Sequence, residues 1–289
     1  MALHALHVAA LCLAGVRLAE AHACTAASGS CPVRPAGQRS VVLMQQAVKR
    51  HRADSGRVLY MVKSYKGFYE TKLRALLRTW GSLLSQSSLL VLGDEEWSEF
   101  PVHKAPMCES DATQGLSCRV AYGMTLAAKH PGNWSWLFVV DDDHYVRPSM
   151  VDRALGELDA SRPIGAGCYG CGQPMYCDGK GGFCGGCGYA FSRAAVLAMV
   201  GGDPEEFQRA HGEISHSAES DGREDMAISC AMRKRVPALE IQQMTSMHGE
   251  APDIKELSQR WKTDDSIAWH HVDPTAMEQM HSVFKDASP

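Results

Sequence analysis

The feature that most restricts the fold of this sequence is an alternation of short apolar runs with longer segments of helical spacing. The runs Val58–Val62, Leu89–Gly93 and Ser135–Val140 have the length of a β-strand and contain almost no polar residues. Between them, apolar side chains recur at helical spacing from Leu73 to Leu84 and again within 117–130. Wholly apolar strands are typical of sheets that are covered on both faces. The pattern therefore predicts an α/β fold with a mostly parallel, twisted central sheet flanked by helices.

Three consecutive aspartates, Asp141, Asp142 and Asp143, directly follow the third apolar run. Adjacent carboxylates repel one another, so at the end of a buried strand they require a cation or several hydrogen-bond donors. Ligands of parallel α/β sheets bind beyond the carboxyl ends of the strands. A hard cation such as Mn²⁺ or Mg²⁺ suits carboxylate oxygens and can bridge the two phosphates of a nucleotide. A solvated turn is the simpler alternative, and the three acidic residues alone do not distinguish the two.

The charge of the chain argues against nucleic acid as a partner. The 289 residues carry a formal net charge of −4 and contain no long run of lysine or arginine. A nucleic-acid-binding surface needs concentrated positive charge, so we expect no nucleic-acid partner. The length is sufficient for one large α/β domain or for two small ones.

The N-terminal part of the chain differs in composition from the rest. Residues 1–23 contain a short apolar stretch and end in Ala-His-Ala, which is typical of a cleavable signal peptide. Residues 24–56 begin with a segment rich in Ala, Ser, Gly and Pro, and we predict a partly disordered leader or stem there. Residues 57–289 would then form the folded domain. An amphipathic start of a cytosolic protein is the alternative.

The cysteine content indicates an oxidising compartment. The chain has eleven cysteines, and ten remain without Cys12 of the predicted signal peptide. An even number in a secreted chain favours disulfides, whose pairing the spacing does not fix. The spacing of Cys168-x-x-Cys171 and Cys184-x-x-Cys187 also matches a zinc site. The signal-like N-terminus favours disulfides over zinc.

A resemblance to a known family is carried first by the segment WLFVVDDDHYVRP, residues 136–148. This segment resembles the DxD segment of the Fringe and core-1 galactosyltransferase group of β1,3-glycosyltransferases. Further similar segments follow in the order of that group, and the resemblance covers about residues 57–280, which makes it specific. The further segments are VKSYKGFYETKLRALLRTW (62–80), the Cys108–Cys118 loop with Arg119, GGCGYAFSRAAV (185–196), EDMAISCAM (224–232) and SIAWHHVDPTAM (266–277).

The resemblance implies a GT-A fold with a Rossmann-like nucleotide-binding half. It also implies an inverting β1,3-glycosyltransferase, which transfers a hexose or N-acetylhexosamine from a UDP-sugar to a hydroxyl of a glycan or glycoprotein. The implied cofactor is Mn²⁺ or Mg²⁺. Because the group works in the Golgi and endoplasmic reticulum, the resemblance places the protein in the lumen of the secretory pathway. It allows a secreted form, and it allows membrane association through the N-terminus.

Metal-ligand roles follow from the resemblance position by position. Asp143 would ligate the metal, and Asp141 would support the metal shell. A histidine completes the coordination in this group, and His270 matches the core-1 position. His248 is the alternative, because the Fringe branch takes its ligand from the segment that matches MHGEAPD.

The catalytic base and the residues that bind the donor are implied in the same way. Asp225 matches the base that takes the proton of the acceptor hydroxyl, and the neighbouring Glu224 is the alternative. Both acids would also suit the N-terminus of a helix without any catalytic role. The residues expected to bind the nucleotide sugar are Asp141, Asp142, Lys63, Ser64, Gly185, Gly186 and Gly188.

A second class of function remains open on the sequence alone. The cysteine-rich segment 168–187 would also suit a zinc-binding or disulfide-stapled glycan-binding module without catalysis. The two functions differ in their requirement for the aspartates and for Asp225. Only the enzyme needs a cation and a base in one cleft.

Overall fold

The computed structural model describes residues 58–105, 107–108 and 114–285. The predictions of a signal peptide at 1–23 and of a leader or stem at 24–56 lie outside these residues. The described residues fall within 57–289, where the sequence predicts the folded domain.

Most strands of the described residues are short and apolar, and the longest ones carry the buried runs that the sequence predicts. In chain order the strands are β1 (Val58–Lys63), β2 (Leu89–Gly93), β3 (Val102–Lys104), β4 (Trp136–Asp141), β5 (Tyr145–Val146), β6 (Ile164–Gly167), β7 (Tyr169–Cys171), β8 (Gly182–Phe183), β9 (Tyr189–Ser192), β10 (Glu240–Gln243), β11 (Met247–His248) and β12 (Ala268–Trp269).

Seven of these strands form the central sheet, in the spatial order β10-β6-β9-β4-β1-β2-β3. Strand β1 pairs in parallel with both β2 and β4, and β2 pairs in parallel with β3. Strand β6 pairs in parallel with β10. Only β9 runs antiparallel to its neighbours β4 and β6. The predicted mostly parallel central sheet is therefore confirmed.

The helices begin with a composite element, α1, which spans residues 66–78. It consists of an α-helical turn (Lys66–Phe68), a π-helical stretch (Tyr69–Leu73) and a final α-helical part (Arg74–Arg78). The remaining helices are α2 (Gln114–Lys129), α3 (Pro148–Gly156), α4 (Arg193–Val200), α5 (Pro204–Ser215), α6 (Glu224–Arg235), α7 (Ile254–Arg260) and α8 (Pro274–Lys285).

Helices cover both faces of the central sheet, because the strands carry apolar side chains on both faces. On β1, Tyr60 and Val62 point to a core shared with α1, α3, α7 and α8. Leu59 and Met61 point to the opposite core, which is shared with α2, α4, α5 and α6. Burying a large apolar side chain contributes about 1.5–3 kcal/mol, so both faces contribute to stability. This arrangement confirms the predicted helices on both sides of the sheet.

The helix predicted to continue from Leu73 to Leu84 ends early. Thr79 has φ −102° and ψ −112°, which is outside the helical region, and a 3₁₀ turn follows at Trp80–Leu83. The break allows the indole N–H of buried Trp80 to donate to the carbonyl oxygen of His144 at 2.8 Å. A long-range hydrogen bond thus overrides the local helical pattern.

Eight described cysteines form four disulfides. The pairs are Cys108–Cys118, Cys168–Cys187, Cys171–Cys184 and Cys177–Cys230. The four cysteines of the zinc-like spacing are thus joined to one another in two disulfides. A disulfide sulfur supplies no thiolate ligand, so the structure contradicts the zinc alternative for this segment.

We predict that His211 makes the stability of the fold depend on pH. Its ring lies fully buried in α5, and neither ring nitrogen has a hydrogen-bond partner in the part of the chain that the structure describes. Burial lowers the pKa of His211 from 6.5 to about 4. As pH falls below 6.5, the unfolded chain takes up a proton that the folded chain excludes, so stability is lost until pH approaches 4.

The test is urea unfolding of wild type and His211→Leu at about pH 7.5 and about pH 5. The wild type should lose about 2 kcal/mol more between the two conditions than the variant, from 1.36 kcal/mol for each pKa unit. Equal losses in the two proteins would contradict this assignment.

Candidate active site

The three aspartates lie where the sequence predicts, at the carboxyl end of a central strand. Asp141 is the last residue of β4, and the backbone N–H of Asp142 donates to the carbonyl oxygen of Lys63 at the end of β1. A tight turn follows, and the chain enters β5 at Tyr145. The turn directs Asp143 toward a second, three-stranded sheet of order β11-β12-β5.

That second sheet brings a histidine from the C-terminal part of the chain to the aspartates. Trp269 on β12 pairs with Tyr145 on β5, and the N–H of Val272 donates to the carbonyl oxygen of Asp143. As a result, the Nε2 atom of His270 lies 3.1 Å from Asp143 Oδ1 and 3.7 Å from Asp141 Oδ2. Two carboxylates and one imidazole therefore converge on one point.

The charges at this point favour an ionised Asp143. Burial alone would raise the pKa of Asp143, but contacts with His270 and with Lys72 hold it well below its ordinary value. Asp143 Oδ2 accepts a hydrogen bond from Lys72 Nζ at 2.9 Å. The neighbouring Asp142 differs, because burial raises its pKa to about 7 even though Ser64 Oγ donates to it at 2.6 Å.

The arrangement fits a divalent cation. Asp141, Asp143, His144 and His270 each offer a ligand atom, and these atoms lie within 4.8 Å of one another. Asp143 Oδ1 is buried and faces His270 Nε2 at 3.1 Å, so this oxygen and this imidazole could both coordinate one ion between them. Carboxylate oxygens with one imidazole form a ligand set that suits a metal such as Mn²⁺.

His144 belongs to this group but has a different role from the other three residues. Its Nδ1 atom accepts a hydrogen bond from the N–H of Asp141 at 3.0 Å, so the lone pair of Nδ1 is used. Burial lowers the pKa of His144 to about 3, which keeps the ring neutral with its single proton on Nε2. His144 then has no lone pair left for a metal. It stacks on His270 at 4.5 Å between ring centroids and supports that ring.

The alternative ligand His248 is not brought into the cluster. Its Nε2 atom lies 2.8 Å from Ser266 Oγ, and its ring stacks on Trp269. His271, next to His270, has a φ of +55° and an exposed side chain outside the cluster. Among the histidines in the described ranges, the geometry therefore favours His270 as the ligand.

Glu224 and Asp225 are the first two residues of α6, and Lys63 lies between Glu224 and Asp141. Lys63 Nζ lies 3.0 Å from Asp141 Oδ1 and also contacts Glu224 Oε1. Burial lowers the pKa of Lys63, but these two carboxylates more than offset that effect and raise it above its ordinary value. The second oxygen of Glu224 accepts a hydrogen bond from Tyr189 at 2.9 Å. Glu224 is thus buried and fully paired.

Asp225 is held differently and remains accessible. Its Oδ2 atom accepts a hydrogen bond from the N–H of Gly185 at 2.9 Å, and its Oδ1 atom accepts one from the N–H of Met226 at 2.8 Å. The side chain lines a cleft of about 460 Å³ that also contains Lys63 and Asp141. Glu224 lines the same cleft but is only 8% exposed, and both of its oxygens are paired, so Asp225 is the more accessible of the two acids.

A second, smaller cleft of about 170 Å³ shares Lys63 and Asp141 with the first. It is lined by apolar rings and by acidic and basic side chains, and it contains the predicted residue Ser64. The other lining residues are Tyr65, Phe68, Lys72, Leu116, Arg119, Asp142, Asp143 and His270.

The glycines predicted to approach the donor lie between the acid of α6 and the histidine. A Cβ atom on Gly185 would lie 3.1 Å from the side chain of Asp225, and one on Gly186 would lie 3.0 Å from His270 Nδ1. Gly188 has a φ of +75° and lies close to the carbonyl oxygen of Val139. A side chain at Gly185 or Gly186 would therefore require Asp225 or His270 to shift by a few tenths of an ångström.

The structure adds residues that the sequence did not single out. Lys72 contacts Asp143, His144 supports the ring of His270, and Tyr189 donates to Glu224. His144 directly follows the three aspartates, so its position offered a signal. Lys72 and Tyr189 are distant in sequence from their partners and offered none.

Comparison with known proteins gives one family, and the similar solved structures include the two described here. A family model described as Fringe-like matches residues 53–288. One similar structure is a glycosyltransferase involved in glycosylation of the major capsid of PBCV-1, with 12% identity, a TM-score of 0.47, and coverage of 78% of this chain and 98% of that one. The other is the glycosyltransferase GlyE of Streptococcus pneumoniae TIGR4, with 14% identity, a TM-score of 0.37, and coverage of 66% and 45%. A comparison with curated proteins finds no match.

The geometry predicts different effects for the two candidate histidines. His270→Ala should weaken Mn²⁺ binding by about tenfold or more, because a ligand is lost. His248→Ala is the matched control and should leave Mn²⁺ affinity unchanged, because this ring contacts Ser266 and Trp269 instead. Calorimetric titration with Mn²⁺ measures both. A larger loss in His248→Ala would contradict the placement of the ligand.

Proposed function

Because the chain belongs to the Fringe-like family, whose members are glycosyltransferases, we propose that it transfers a hexose or N-acetylhexosamine from a UDP-sugar to a hydroxyl of a glycan or glycoprotein. We also propose inversion at the anomeric carbon and a β1,3 linkage. One observation carries the proposal: two clefts share Lys63 and Asp141. The smaller one contains Asp143 and His270, and the larger one contains the accessible Asp225. Such a transfer needs a site for a cation and a base on either side of one sugar.

We propose that Asp141, Asp143 and His270 hold a divalent cation, Mn²⁺ or Mg²⁺. When bound, this cation neutralises the charge of the nucleoside diphosphate that leaves. The support is the convergence of their ligand atoms within 4.8 Å.

The nucleoside of the donor fits the smaller cleft. Tyr65 and Phe68 present two rings at an edge-to-face angle, with centroids 4.5 Å apart, and offer an apolar surface to a base. Asp142, held by Ser64, offers carboxylate oxygen to an N–H or hydroxyl donor of a uridine. This chemistry supports UDP as the carrier of the sugar.

Asp225 is the proposed base. An inverting transfer is a single displacement, in which the acceptor oxygen attacks the anomeric carbon while a base removes its proton and the diphosphate leaves from the other side. Asp225 lines the larger cleft and lies at the N-terminus of α6. Glu224 is buried against Lys63 and Tyr189, so its oxygens are not available to an acceptor. This difference in exposure is the reason to prefer Asp225.

The disulfides support a lumenal location. Four disulfides are stable in an oxidising compartment, which fits the proposed signal peptide at 1–23 and a site of action in the Golgi or endoplasmic reticulum. None of the helices in the described part of the chain has the length and apolar character needed to cross a bilayer. We propose that residues 24–56 form a leader or stem, which is compatible with secretion and with membrane attachment.

The most direct test of the function is a screen of UDP-sugars for release of UDP stimulated by Mn²⁺, with and without simple glycoside acceptors. We expect one UDP-sugar to give metal-dependent release that increases with a suitable acceptor. Binding of UDP and Mn²⁺ without release from any donor would favour a glycan-binding protein without catalysis.

The two acids of α6 give a matched test of the base. Asp225→Asn should keep UDP and Mn²⁺ binding and lower turnover by about 10²–10⁴, because the amide cannot take a proton. Steady-state kinetics together with binding of UDP measure the two effects separately. Turnover near the wild-type rate in Asp225→Asn, with turnover lost in Glu224→Gln at unchanged UDP binding, would transfer the role to Glu224.

A further inference from the structure

We propose that Lys72 competes with the divalent cation for the carboxylate of Asp143 and binds the diphosphate of the donor once the cation is in place. This proposal rests on the proposed function, because it assumes a cation and a diphosphate in the same site. It assigns Lys72 a part in donor binding that couples the two ligands to each other.

The competition follows from the contacts of Asp143. One of its oxygens accepts a hydrogen bond from Lys72 Nζ at 2.9 Å, and the other lies 3.1 Å from His270 Nε2. The Asp143 side chain is only 12% exposed, so water screens these charges weakly. A divalent cation that coordinates Asp143 must approach within a few ångströms of the ammonium group, and like charges at that separation repel strongly. Cation and ammonium therefore each weaken the binding of the other at this carboxylate, although they use different oxygens of Asp143.

The ammonium group has another position within reach. Lys72 lies on the π-helical stretch of α1, and its side chain is 29% exposed. Its Nζ atom also lies 4.3 Å from the ring centroid of Phe68, which lines the smaller cleft. A lysine ammonium on a flexible stem is a common point-charge ligand of phosphate. If the ammonium group of Lys72 moved from Asp143 to a phosphate in the cleft, it would therefore exchange one anionic partner for another.

The other lysine in the cleft cannot serve this purpose. Lys63 is almost inaccessible, and its ammonium group is held between Asp141 and Glu224. Removing it from these partners would leave two buried carboxylates without their cation. Of the two lysines that line the smaller cleft, Lys72 is thus the one that can follow the phosphates.

The coupling has opposite consequences for the two ligands. Without Lys72, a cation meets no competitor at Asp143, so the metal alone binds more tightly. Without Lys72, the diphosphate loses one charge-assisted contact, so UDP binds more weakly to the metal-loaded protein. A residue with only a structural role would not shift the two affinities in opposite directions.

The experiment uses Lys72→Ala and Lys72→Met in the full chain, with circular dichroism melts to verify folding. Mn²⁺ affinity without nucleotide is measured by electron paramagnetic resonance of the free ion, and UDP affinity at saturating Mn²⁺ is measured by calorimetry. We expect Mn²⁺ binding to tighten about fivefold in both variants. We expect UDP binding to weaken about tenfold, as for the loss of one hydrogen bond to a charged group.

Two controls accompany these variants. Lys72→Arg keeps the positive charge and should return both affinities to near wild-type values. Lys66→Ala removes an exposed lysine that pairs with Glu95 outside the cleft, and it should change neither affinity. Any result in folded Lys72 variants other than opposite shifts overturns the inference. Failure of the wild type itself to bind Mn²⁺ would instead contradict the proposed function.

Discussion

The buried ammonium group of Lys63 is the charge on which the rest of the site depends. Lys63 is the last residue of β1, and its ammonium group contacts Asp141 at the end of β4 and Glu224 at the start of α6. A buried lysine is stable only with carboxylate partners, and breaking such a pair typically costs about 3–5 kcal/mol. Since Asp141 and Glu224 both line the larger cleft and both contact Lys63, this lysine connects the end of β4 to the start of α6.

The cation site itself depends on the small second sheet. Strand β12 carries His270 to the turn after β4 only because Trp269 pairs with Tyr145. The stacked ring of His144 and the hydrogen bond from Val272 then restrict His270 and Asp143. The ligands of a metal must be held in place by surrounding groups, and here those groups come from three separate segments of the chain.

The glycine segment between α6 and His270 is held by disulfides on both sides. Cys184 is joined to Cys171 and Cys187 to Cys168, so Gly185 and Gly186 are fixed at both ends. The N–H of Gly185 then positions Asp225. The disulfides of the cysteine-rich segment therefore stabilise the proposed active site. This structural role accounts for the cysteines without a zinc ion.

The layers of the fold and the position of the site at a strand end could be predicted from local sequence pattern. Apolar runs report burial directly, so the buried strands, the parallel sheet and the strand end at Asp141 followed from local pattern and strand geometry. The roles of Asp143, His270 and Asp225 came from family resemblance and stay predictions, while the structure places His270 Nε2 3.1 Å from Asp143 Oδ1. Four features could not be predicted from the sequence: the antiparallel direction of β9, the disulfide pairing, the position of His248 outside the cluster and the contact of Lys72 with Asp143. These features depend on contacts between residues far apart in the chain, which local periodicity does not encode.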